Sequence, residues 1–160
     1  MIEPQGIAVA LRTSLVFHIE MAIKMISKRT DRWLQKTVGC NRRELWVLMC
    51  ISEMGCSQRQ LSDVLRVHPN MMVGLIDGME RKSLVKRTKA ISNRRQYVIE
   101  LTPRGKKALS LVRARRDPAL KYIFEPLETS QVDQIREWSM LILQGRKGIS
   151  EVVDMDDTDA

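Results

Sequence analysis

The sequence holds only two histidines, His18 and His68, and three cysteines, Cys40, Cys50 and Cys56, in 160 residues. No two of the cysteines form a C-x-x-C pair. An odd number in this arrangement disfavours both a zinc site and a disulfide framework. There is also no glycine-rich phosphate loop, no nucleophile elbow and no metal-ligand spacing, which leaves little from which to build catalysis. The expectation is a protein that is not an enzyme and carries no cofactor. Long apolar runs are missing as well. The stretch from Ile7 to Ile26 is interrupted by Arg12, His18, Glu20 and Lys24, so no membrane span is expected. Acidic Glu3 comes first and no clear cleavage site follows the apolar stretch, an arrangement unlike a secretory signal, so a cytoplasmic location is expected.

Positive charge is abundant, and it is gathered in one place. Ser57 to Lys107 contains twelve Lys/Arg and four Asp/Glu, a net +8, which equals the formal charge of the whole chain. The remainder is therefore balanced. Charge that served solubility alone would be scattered, whereas charge collected on one supersecondary unit points to a polyanionic partner.

Apolar spacing supplies the organisation around that segment. Ile7, Leu11, Leu15, Ile19, Ile23 and Ile26 recur at helical intervals, predicting a long amphipathic helix from Ile7 to about Lys36 that Gly39 stops. Asn41 with Glu44 reads as a capping box opening a second helix, which Gly55 ends. Ser57 with Gln60 is another capping box, ahead of a short third helix through Leu61, Val64 and Leu65. Pro69 suits the first turn of a fourth helix that runs to about Lys82 and buries Met72, Leu75, Ile76 and Met79.

The period then changes from 3.6 to 2. Leu84 to Lys89 and Gln96 to Leu101 read as strands joined by a basic tip, Ala90 to Arg95. Thr102-Pro103 starts a helix directly, Asp117-Pro118 kinks or restarts it, and Pro126 closes the stretch. A last helix covers Thr129 to about Gln144. Ser150 to Ala160 is acidic and without a base, a frayed tail by composition.

Helix, short connection, helix and basic hairpin within some fifty residues is the order of a winged helix-turn-helix. Its second helix fits a major groove, the hairpin tip reaches a neighbouring groove, and helix N-termini with flanking cations hold phosphates. Double-stranded DNA is the partner this implies. Ser57 and Gln58, at the start of the third helix, are candidate DNA contacts. Asn70 is placed to read adenine, Met71 offers apolar contact to thymine methyls, and Gly74 lies one turn further on the same helix. Arg94 and Arg95 occupy the tip. Arg87 reads first as a structural partner at the hairpin base and secondly as a phosphate contact.

The segments "RELWVLMCISEMGCSQRQLSDVLRVHPNMMVGLIDGMERKSLVKR" and "SNRRQYVIELTPRGKKAL" resemble the MarR family of bacterial transcription regulators, most closely in "LIDGMERKSLVKR" and "NRR…LTPRG". The resemblance implies a mainly α fold with a small β-hairpin wing, flanked by N- and C-terminal dimerisation helices. In those terms residues 1–38 form the N-terminal dimerisation helix and 39–105 the DNA-binding domain. Residues 106–148 supply the C-terminal dimerisation helices, and 149–160 form the acidic tail. Asn93-Arg94-Arg95 takes the family's D-x-R wing position, with Arg95 bound for the minor groove and Asn93 in place of the aspartate that would pair with it. The implied function is a homodimeric regulator, a ligand-responsive repressor, on a pseudo-palindromic operator. The alternative is a winged-helix protein-interaction module that has lost sequence-specific DNA binding, motivated by Met71, Val73, Gly74 and Gly78.

The resemblance also implies a small-molecule effector, for which His18, Met21, Trp46 and Met49 on the first two helices are the candidate contacts. Some relatives sense oxidants through a cysteine. Cys40 and Cys56, at helix boundaries with Arg42, Arg43 and Arg59 near in sequence, are the candidates for a lowered thiol pKa here.

Overall fold

A computed structural model describes residues 14–53, 55–89 and 97–145. The described residues form seven helices and three short strands, in two units that divide after Ala119.

In the first unit, α1 (Leu15–Val38) begins at Ser14, whose hydroxyl accepts the Phe17 N–H. It ends at Gly39, whose φ of +71° is the left-handed cap that glycine adopts without strain. Residues 7–13 of the expected helix lie outside the described residues. The connection to α2 (Arg42–Glu53) is the expected box: Asn41 N–H donates to Glu44 Oε2 at 2.8 Å, and Glu44 N–H donates to Asn41 Oδ1 at 3.0 Å. The second box also forms, at the start of α3 (Gln58–Leu65), between Ser57 and Gln60. Pro69 occupies the first turn of α4 (Pro69–Arg81), where its missing N–H leaves no helical bond unmade. His68 serves as the cap, its Nδ1 accepting the Asn70 N–H at 3.3 Å.

Strands β2 (Val85–Lys89) and β3 (Tyr97–Leu101) pair antiparallel as expected. The sheet has a third member, β1 (Cys56–Ser57), which pairs with β3 through Cys56 opposite Ile99 and Ser57 opposite Val98. The order is β1-β3-β2. A two-residue strand is too short to show an alternating pattern, so periodicity passes over it. Helix α5 (Pro103–Ala114) follows at once, with Thr102 Oγ1 accepting the Gly105 N–H at 3.1 Å. Gly105 is required there, since a Cβ would stand 2.1 Å from the Leu84 carbonyl oxygen.

The helix breaks at Arg115 and restarts as α6 (Arg116–Phe124), so Pro118 falls in a first turn. One core gathers Leu34 of α1, Val47 and Leu48 of α2, Leu61 of α3, Met72, Ile76 and Met79 of α4, and Leu84, Val85 and Ile99 of the hairpin. Burying apolar surface at roughly 25 cal/mol per Å² makes that core the main stabilising contribution to the lobe.

The second unit holds the end of α6 and all of α7 (Thr129–Gln144), with Ile123 and Val132 buried. Glu128 N–H donates to Gln131 Oε1 at 2.9 Å at the start of α7. Towards its C-terminus, Trp138 and Met140 to Leu143 are all exposed. The wing tip and the acidic tail expected from sequence lie outside the described residues. Among the described residues, no helix is long and apolar enough to cross a membrane.

Candidate nucleic-acid interface

The apolar spacing of α4 decides which side it shows. Met72, Ile76 and Met79 are buried, which turns Asn70, Met71, Val73, Gly74 and Arg81 outward. Three of the expected contacts, Asn70, Met71 and Gly74, thus share the exposed side of one helix. Gly74 has nothing within 4 Å of where a Cβ would sit, so the helix backbone is open to close approach at that point. Ser57 and Gln58 are half-buried at the start of α3, and Arg59 on that helix and Arg66, its C-cap, are exposed. Arg94 and Arg95 lie outside the described residues.

Arg87 holds the helix and the hairpin together. Its NH2 is 2.7 Å from Asp77 Oδ1, its NH1 pairs with Glu80, and its backbone N–H donates to Glu80 Oε1 at 2.9 Å. A longer bond, 3.4 Å, reaches Gln58 Oε1 on α3. Partial burial works against the cation. The hydrogen bond to Asp77 and the charges of Glu80 and Asp77 outweigh it, and the guanidinium pKa moves up. The structural role read for Arg87 at the hairpin base therefore has specific partners, which link α3, α4 and β2.

The C-terminus of α4 is pinned a second time, by a contact not foreseen in the sequence. Lys82, which caps α4, places Nζ 2.9 Å from both carboxylate oxygens of Glu44, a residue only 4% exposed. Glu44 also accepts the Asn41 N–H, so the carboxylate is well supplied with donors despite its burial. Its legible role, as the third residue of a capping box, masked the second. A pairing across 38 positions carries no local signal.

The effector candidates are placed separately. His18 and Met21 are exposed on α1, and Trp46 and Met49 are exposed on α2. A shallow groove of about 270 Å³ is lined instead by Ser52, Leu101, Lys106, Leu109, Ser110 and Arg113, none of the four.

The cysteine expectation is corrected. Cys40 is fully buried and its thiol is raised to about 11, first by burial and then by the Glu44 charge, against which Lys82 is too weak. Cys56 is raised too, by burial and by the neighbouring Cys50. The Arg42 guanidinium is paired to Asp31 at 3.0 Å, and no arginine is among the charges that act on either thiol.

The helices, the three-stranded sheet and the outward side of α4 define a winged helix-turn-helix protein. Residues 40–97, from the turn before α2 to the first residue of β3, match the MarR family model. That family is one of transcription regulators rather than enzymes.

No curated protein matches the chain by sequence. Among solved structures, CouR from Rhodococcus jostii RHA1 bound to p-coumaroyl-CoA is 28% identical, with a TM-score of 0.66 over 84% of this chain and 92% of that one. CouR, a transcriptional repressor, bound to a 23-mer DNA duplex gives 22% identity and a TM-score of 0.70 over 83% and 94%. Sco3205, a MarR family transcriptional regulator from Streptomyces coelicolor in complex with DNA, gives 19% and 0.68 over 91% and 92%.

Proposed function

We propose that the chain is a DNA-binding transcription regulator that acts as a homodimer, a repressor released by a small-molecule effector. The observation that carries the reading is the exposed side of α4, where Asn70, Met71 and Gly74 stand within the segment holding the chain's whole net charge. A buried core fixes that helix from behind, and Arg87 and Lys82 hold its C-terminal part. A helix so presented suits a major groove, and two copies related by a twofold axis would meet successive grooves about 34 Å apart.

The homodimer draws support from uncovered apolar surface. Leu15, Val16, Ile19, Ile23 and Met25 are exposed on α1, and Trp138, Leu141, Ile142 and Leu143 on α7. Patches of this kind mark association surfaces, and a second copy is the partner that a regulator of this class uses. Repression and release by a ligand are read from CouR, a repressor solved with p-coumaroyl-CoA and with DNA. For this chain His18, Met21, Trp46 and Met49 remain the proposed effector contacts. An effector acts by binding one lobe spacing better than the other, and its differential affinity sets the size of the effect.

Met71 and Val73 are apolar and exposed, which is the observation favouring the protein-interaction alternative. A gel shift on the DNA flanking the chain's own gene separates the two readings. A discrete complex that resists competitor DNA supports the regulator, and smearing that moderate salt abolishes supports the alternative.

A further inference from the structure

In an antiparallel pair, directly opposed residues share a face, and the face recurs at every second residue. The β2–β3 register opposes Val85 to Leu101, Arg87 to Ile99 and Lys89 to Tyr97. These six side chains therefore stand on one side of the hairpin. It is the side turned to the helices: Val85 and Ile99 are in the core, and Arg87 reaches Gln58 on α3 and Asp77 and Glu80 on α4. Lys89 and Tyr97 are the next pair outward, about 7 Å beyond at two residues' rise. There the core has ended, and both are exposed, Tyr97 by 51%. The cross-strand ion pair of the hairpin, Lys86 with Glu100, belongs to the opposite face, so its acid does not screen Lys89.

We infer that Lys89 and Tyr97 form a seat for the sugar–phosphate backbone at the root of the wing, on the duplex strand bordering the groove α4 enters. The Lys89 ammonium pairs with a phosphodiester oxygen, and the Tyr97 hydroxyl donates to the same phosphate or its neighbour. A lysine is a point charge without planar readout, so the seat fixes register and carries no base preference. Tyr97 keeps about half its surface open, and an aromatic with a polar end fits a surface that is apolar at the ring and charged at the tip. This seat rests on the DNA-binding reading above.

The test is a fluorescence-anisotropy titration of the full chain against the duplex flanking its own gene, over a series of salt concentrations. Lys89→Gln is expected to weaken binding about tenfold at low salt and to lower the log–log salt slope by about one, with Lys89→Arg restoring both. Tyr97→Phe keeps the ring and loses only the hydroxyl, so affinity falls roughly five- to tenfold with the slope unchanged. Replacing the contacted phosphate with a neutral methylphosphonate removes the Lys89→Gln effect. Melting temperatures of all variants should match the parent, because both side chains are exposed. A Lys89→Gln slope equal to the parent's, or a Tyr97→Phe affinity equal to the parent's, overturns the seat while leaving the regulator reading intact. A parent chain that forms no discrete complex overturns both.

Discussion

At the scale of single residues, the wing and the recognition helix are joined by one guanidinium. Arg87 is half-buried and bonded to acids three positions apart on α4, Asp77 and Glu80. Removing it leaves two carboxylates facing each other without a cation. Arg87→Ala is therefore expected to destabilise the lobe by about 1–3 kcal/mol, measured by urea denaturation. Because its charge is already engaged, the same variant should change the salt slope of duplex binding by much less than one. A full unit lost would show that Arg87 serves a phosphate instead.

Cys40 gives a second test at this scale. A folded-state thiol pKa near 11, against 9.0 for a free thiol, means that only the unfolded chain ionises as pH rises above about 9. The folded state then holds the extra proton, so its contribution is complete below pH 9 and is lost as pH approaches 11. The native thiol should resist iodoacetamide at pH 8 and react once the chain is unfolded. Rapid native alkylation of Cys40 would contradict its burial.

At the scale of elements, α4 combines strong packing on one side with weak helix formers on the other. Gly74 costs about 1 kcal/mol relative to alanine in a helix, and a methyl group there meets nothing. Gly74→Ala should raise stability by roughly 0.5–1 kcal/mol in thermal unfolding, and lower duplex affinity because the added methyl stands on the side proposed to face DNA. Improved affinity would mean that this side of the helix does not approach the duplex.

Most of the element order was legible before the structure, and particular residues show why. Asn41/Glu44, Ser57/Gln60 and Thr102-Pro103 are local chemistry, with donors and acceptors three residues apart, so their bonds could be anticipated from spacing. The start of α6 was less legible: Asp117 is a competent cap, yet the helix restarts at Arg116 and Asp117 falls in its first turn. Strand β1, the Glu44–Lys82 pair and the burial of Cys40 depend on chain segments far apart in sequence, which spacing cannot report. Arg87 lies between these cases: its role at the hairpin base was foreseen, whereas Asp77 and Glu80 as its partners required coordinates.

At the scale of the whole molecule, the account requires two copies. An α7 whose last turns expose Trp138, Met140, Leu141, Ile142 and Leu143 is apolar on every side there, and such a helix is stable only when covered. Leu141→Glu, at a 65% exposed position, should leave helical content intact and shift the protein in sedimentation from twice the chain mass to the chain mass. Duplex affinity should fall with it, since each half-site alone supplies about half the contacts. A parent protein that sediments as one copy would remove the twofold basis of the proposal.

The most direct measurement is a hydroxyl-radical footprint of the protein on the DNA flanking its gene. The account predicts two symmetric protected regions with centres one helical turn apart, each flanked by weaker protection in the adjacent minor groove. Uniform protection without a dyad, or none at protein concentrations that saturate the duplex in solution, would contradict a twofold winged helix-turn-helix reading successive grooves.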